Sequence, residues 1–207
     1  MNRFEHSQIF NDQPPLVRTG PGALRLVTLM LRDALPEDKL ASIVDSLPLE
    51  ETRERQRRLH HLLDSGYGSC LLAQPQAAGI LDRALQSFNG RQFELVSFVI
   101  MPSHVHMLAG ANSGYSIERV LLALMDWTEE QFEEECGTLG RVWSRQYREQ
   151  VIRDEEHMFA AIEFIHSDPV RAGLCEDAED WEFSSADGMD IRHVVSVVDA
   201  LLENRAG

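Results

Sequence analysis

The apolar run Phe93-Glu94-Leu95-Val96-Ser97-Phe98-Val99-Ile100-Met101-Pro102, followed after one serine by His104-Val105-His106-Met107-Leu108-Ala109, most constrains what this chain can become. Two strand-like stretches separated only by Pro102-Ser103 read as antiparallel neighbours in one sheet. Successive side chains of a strand point to opposite faces, so His104 and His106 share a face while Val105 enters the core. Two imidazoles presented together form a ready pair for a divalent ion. The same spacing also suits ordinary polar-face or part-buried histidines.

Around this hairpin the periodicity alternates between strand and helix. Residues 24–31 read as a strand, and residues 36–64 as two helices, with Leu40, Ile43, Val44 and Leu47 on one stripe and Leu59, Leu62 and Leu63 on the next. Ala78, Leu81, Leu85 and Phe88 give a helix over residues 75–88 that Asn89-Gly90 closes. Ser116 is placed to cap a helix through residue 136, with Ile117, Val120, Leu121, Leu124, Trp127 and Phe132 inward and Glu129, Glu130, Glu133, Glu134 and Glu135 outward. A short strand is expected within residues 143–152, then a helix from Asp154 that Pro169 stops. Helices interleaved with a hairpin-joined sheet imply an α+β, ferredoxin-like arrangement. Residues 1–22 read as an arm, 23–186 as one domain, and 187–207 as a C-terminal helix.

Length allows one core, and no apolar stretch is long enough to cross a bilayer. Cys70, Cys136 and Cys175 are far apart and odd in number, which fits inert thiols in a reducing cytoplasm. A formal charge of −15 excludes nucleic-acid binding by the surface as a whole, so any DNA contact must be local. Arginines gather at Arg53, Arg55, Arg57 and Arg58, and again at Arg141, Arg145, Arg148 and Arg153. Trp143 and Tyr147 interleave the second group, as in surfaces that stack unpaired bases; packing is the competing reading for both rings. His157 reads as a surface residue.

Five segments taken in order carry a resemblance. They are residues 99–108, then Val142-Trp143-Ser144-Arg145-Gln146-Tyr147, then Val151-Ile152-Arg153-Asp154-Glu155-Glu156-His157, then residues 164–174, then Asp180-Trp181-Glu182-Phe183-Ser184-Ser185. Together they resemble the single-tyrosine transposases of the HUH endonuclease superfamily, in the branch associated with repetitive extragenic palindromes. The resemblance implies a ferredoxin-like fold and metal-dependent cleavage and rejoining of single-stranded, hairpin-forming DNA. It implies magnesium or manganese held by His104 and His106, with Asp168 in the place of the family's asparagine as third ligand. It leaves a homodimer or a protein partner open.

The family's nucleophilic tyrosine lies in a Tyr-Ile-x-x-Asn-Pro-Val segment, which aligns with Phe164-Ile165-His166-Ser167-Asp168-Pro169-Val170. Phenylalanine has no hydroxyl, so the covalent step is absent at that position. Ser103 replaces a usual asparagine, and Met125-Asp126-Trp127-Thr128-Glu129-Glu130 replaces a usual basic helix. The expectation is a transposase-like DNA-binding protein without tyrosine chemistry. Two alternatives stand beside it: an endonuclease using Tyr147 or metal-activated water, and a catalytically silent protein-interaction module.

Overall fold

The structure, a computed structural model, describes residues 23–46, 52–189 and 194. The expected N-terminal arm and most of the expected C-terminal helix lie outside the described residues. Strand β1 (Arg25–Met30) is followed by helices α1 (Glu37–Ser46), α2 (Thr52–Asp64) and α3 (Pro75–Phe88). Strands β2 (Phe93–Ile100) and β3 (His104–Ala111) form the hairpin, after which come α4 (Ile117–Cys136), β4 (Arg148–Val151) and α5 (Glu155–Arg171). The sheet order is β2-β3-β1-β4, with every neighbouring pair antiparallel. This is the ferredoxin-like βαββαβ arrangement, with α5 added after its last strand.

Strand alternation divides the interior into two cores. Val27, Leu29, Val105 and Met107 face α3 and α4, joined by Ile80, Leu81, Leu124, Phe132 and Trp143. Leu24, Leu26, Val99 and Leu108 face α5, joined by Met158, Ala161, Phe164 and Ile165. The local chemistry of the ends is visible: Ser116 accepts from the Arg119 amide, Gly137 closes α4 at φ 68°, and Asp154 accepts from the His157 amide.

Two expectations need correction. Pro169 lies inside α5, which runs on to Arg171, because the buried Asp168-Pro169 pair is held against the sheet and Arg171 ties back to Phe164, Ser167 and Asp168. Tertiary packing there overrides the local cost of a proline two residues from the helix end. His157 is buried rather than at the surface, its Nδ1 receiving the Arg153 amide at 3.2 Å. Among the described residues no helix is long and apolar enough to cross a membrane.

Candidate metal centre

His104 and His106 open β3 on the α5 face and are both buried, at 0% and 1% exposure. Asp168 reaches them from α5, its Oδ2 lying 3.4 Å from His104 Nε2 and 3.5 Å from His106 Nε2. Nitrogen and oxygen ligands bound at about 2.0–2.2 Å to one divalent ion stand roughly 3 to 3.5 Å apart, so each imidazole–carboxylate separation suits a cation held by that pair. His104 Nε2, His106 Nε2 and Asp168 Oδ2 have no hydrogen-bond partner among the described residues, although all three are buried. Buried acceptors left facing one another are costly, and a cation between them removes the cost.

The ring tautomers follow from the atoms behind them. Ser103 Oγ donates its one proton to the Leu63 carbonyl at 3.0 Å, so it accepts from His104 Nδ1 at 3.1 Å. That leaves a lone pair on His104 Nε2, directed at Asp168. Thr28 Oγ1 lies 2.8 Å from His106 Nδ1 and holds the orientation of the second ring. Burial, then the neighbouring His104, lowers the His106 pKa well below its ordinary value, so this imidazole is neutral and able to ligate. Burial alone would raise Asp168, but the imidazoles of His104, His106 and His60 beside it bring it well below the usual carboxylate range. Arg171 holds the other Asp168 oxygen, leaving Oδ2 for the centre.

Two further residues belong to the cluster and were not singled out from the sequence: His60 and Asp64, one turn apart on α2. Donor atoms within 4.8 Å of one another group into two triads, His60–His106–Asp168 and Asp64–His104–Asp168. The His60 ring stacks on His106 with centroids 4.9 Å apart. Its Nδ1 lies 3.3 Å from Asp64 Oδ2, while Asp64 Oδ1 stands 3.8 Å from His104 Nε2. The only available signal was the His60-x-x-x-Asp64 spacing, which puts both on one helical face.

Phe164 is 2% exposed and packs edge-on against both His60 and His106, with centroids 4.7 and 5.1 Å away. The Arg171 guanidinium covers its ring at 4.6 Å. Tyr147 does not join the centre. It precedes β4 on the face of Glu149, which pairs with Val27, and packs into the α3/α4 core on the opposite side of the sheet. Burial, with Glu149 and Glu118, raises its pKa, the reverse of an activated phenol.

The second arginine group divides. Trp143 is 1% exposed with its Nε1 donating to Thr128 Oγ1 at 2.8 Å, which corrects the reading of a base-stacking ring. Arg145 is committed to Asp126 and Glu129 at 2.8 and 2.9 Å, and Glu129 also accepts the Val142 and Trp143 amides, so this part of the acidic face is structural rather than solvated. Arg153 Nε lies 3.3 Å from His157 Nδ1, and Arg141 is exposed in the connection before β4. Arg148 differs from these. It pairs across β1 with Thr28, which pairs in turn with His106, so the three lie in one row on the metal-centre face. Burial alone lowers its pKa.

A histidine pair on β3 of a ferredoxin-like sheet, faced by a carboxylate from α5, is the arrangement that the sequence resemblance implies. No family model matches the chain. It is 29% identical over 105 residues to a protein named as a REP-associated tyrosine transposase of Haemophilus influenzae, covering 45% of this chain and 58% of that protein. It is 28% identical over 100 residues to the REP-associated tyrosine transposase of Escherichia coli K12, covering 46% of this chain and 55% of the relative. The matched segments thus span little more than half of these relatives. The fold matches a solved REP-associated tyrosine transposase bound to a REP hairpin, with a TM-score of 0.52, 18% identity, and coverage of 86% of this chain and 88% of the other. The chain is similar in sequence to REP-associated tyrosine transposases over somewhat more than half of their length, and similar in fold to one of them.

Proposed function

We propose that this protein binds hairpin-forming single-stranded DNA at a divalent-metal centre and lacks the phosphotyrosine step of its relatives. The observation that carries this reading is Phe164. Its apolar ring lies against His106, one helical turn before Asp168, and offers no oxygen to phosphorus. His104, His106 and Asp168 would hold magnesium or manganese, which when bound offsets negative charge on the non-bridging oxygens of a phosphodiester.

The protein's own groups perform the rest. Thr28 and Ser103 keep the two rings aimed, and Arg171 keeps Asp168 turned toward them. Arg148, in the same row as His106, supplies a guanidinium for an adjacent phosphate. The solved neighbour with its REP hairpin supports the choice of nucleic acid. A charge of −15 makes the contact local and strongly salt-dependent.

The test uses the full chain, manganese and a fluorescent hairpin-bearing single strand at low salt. We expect binding that chelator or His104→Ala abolishes, with no denaturant-resistant protein–DNA adduct; Phe164→Tyr is expected to gain an adduct. Binding indifferent to chelator and to His104→Ala would overturn the metal centre. An adduct formed by the native chain would overturn the loss of tyrosine chemistry.

A further inference from the structure

We infer that the exposed arginine face of α2, at Arg57, Arg58 and His61, is a docking surface for the phosphate backbone of the DNA strand that leads into the centre. This rests on the hairpin-binding reading above and adds a surface that the centre itself does not supply. The sequence of α2 holds four arginines against Glu54 and Asp64, a formal +2 in a chain of −15. Arg57 and Arg58 keep 58% and 46% of their side chains exposed, and His61 is exposed beside them. His61 follows Arg57 by four residues and Arg58 by three, so the three side chains form one ridge. Glu54 gathers the two guanidiniums at 2.8 and 2.9 Å. Surface ion pairs of this kind contribute about 0–1 kcal/mol and are screened by salt, so a phosphate displaces the carboxylate at little cost.

The ridge stands beside the centre. Ser103 Oγ donates to the Leu63 carbonyl at 3.0 Å, which fixes the last turn of α2 to the start of β3. One turn earlier, the ring of His60 lies 4.9 Å from that of His106. Arg57 precedes His60 by three residues, which makes them surface neighbours about 4.5 Å apart along the helix axis. A phosphodiester that reaches His104 and His106 therefore brings its neighbouring phosphates past Arg57 and Arg58. Arginine suits this role, because its guanidinium grips phosphate oxygens as a fork and stays charged. The acidic face of α4 does not oppose it: Glu130, Glu133 and Glu134 are exposed on a helix that packs on the other side of the sheet. Arginines on that other side are held by local carboxylates, Arg145 by Asp126 and Glu129, and Arg83 by Glu135.

The full chain with manganese is titrated with a fluorescent hairpin-bearing single strand over a range of salt. The double substitution Arg57→Gln and Arg58→Gln is expected to lower hairpin affinity at least about 10-fold at low salt. The slope of log affinity against log salt should become shallower by about 1.4–1.8, the counterion release of two phosphates. The loss should be equal for strands of unrelated flanking sequence, because phosphate contacts read no base, and manganese affinity should stay the same. Should the double variant lose its circular dichroism, each single substitution carries the same expectation at half the change in slope. Arg83→Gln, at an arginine equally exposed on α3, should leave the slope as it is. An unchanged slope in the α2 variant, with hairpin binding still abolished by chelator, overturns the docking surface and leaves the metal-dependent DNA reading standing. No hairpin binding by the native chain overturns both. An equal change of slope in Arg83→Gln, a fall of manganese affinity in the α2 variant, or polyglutamate displacing the hairpin as well as unlabelled DNA does, overturns the assignment of this face to DNA.

Discussion

The two faces of one sheet treat their polar groups in opposite ways. On the α3/α4 face polar groups are answered within the protein: Trp143 by Thr128, the Val142 and Trp143 amides by Glu129, Arg145 by Glu129 and Asp126. On the α5 face, beyond Leu26, Val99 and Leu108, His104 Nε2, His106 Nε2 and Asp168 Oδ2 are buried without a hydrogen-bond partner among the described residues. Adjacent β3 residues belong to these two regimes, Val105 to the first and His104 and His106 to the second. Each unanswered buried polar atom costs about 1–3 kcal/mol, so the first face supplies stability and the second holds groups arranged for a ligand.

The largest expected effect tests the first half of this contrast. Trp143→Ala removes a fully buried ring together with its hydrogen bond to Thr128, and should destabilise the fold by about 3–5 kcal/mol in urea unfolding. Manganese affinity of the protein that remains folded should not change. A loss of affinity without a loss of stability would break the separation of the faces.

The second test reverses the pattern. His106→Ala should weaken manganese binding at least about 100-fold by calorimetry, more than an outer contact would, while leaving the unfolding midpoint near that of the chelator-treated native chain. The pH dependence has a definite sign. His106 in the folded, metal-free chain lies below its ordinary 6.5, and burial likewise lowers His166 beside Ser97 and Ser185. Between those folded values and 6.5 the unfolded chain binds more protons, so stability rises with pH there and is lost as pH falls through that window. Asp168 adds the same sense below its ordinary 3.8. Protons compete with metal for the same nitrogens, so manganese affinity should also fall with acid.

What could be read from the chain and what could not follows the range of the forces. Alternation placed Val105 inward and His104 and His106 together, and the Asp154 and Ser116 caps were legible because capping is local. The Phe164–Asp168 turn was legible through the resemblance. His60 and Asp64 were not, because they stand among Arg55, Arg57 and Arg58 and only tertiary packing brings the end of α2 to β3. Thr28 carried no signal, since a threonine in a strand is ordinary. Composition grouped Arg145 and Trp143 with Arg148, while the burial of Trp143 and the Asp126 and Glu129 carboxylates on Arg145 set them apart.

Thr28→Val sharpens the contrast at a single hydroxyl. The exchange keeps the branched shape and removes the group 2.8 Å from His106 Nδ1. Manganese affinity should fall by about 10-fold to 100-fold, the usual cost of an outer contact to a ligating histidine. An unchanged affinity would mean that packing against Phe164 and His60 alone fixes the ring.

The smallest expected effect is the most direct test of the sidedness. Tyr147 is the tyrosine that the sequence offers as a substitute nucleophile, but its ring packs toward α4 and its hydroxyl is influenced by Glu149 and Glu118, across the sheet from His106. To reach a phosphate held beside His104 and His106, its side chain would have to pass to the opposite face, which requires β4 to slip by one residue and expose what it now buries. Tyr147→Phe should therefore change stability by no more than about 0.5 kcal/mol and leave manganese and hairpin binding as they were. Should hairpin binding, or any strand cleavage the native chain performs, disappear in this variant at unchanged stability, the two faces are not chemically separate and β4 moves when DNA binds.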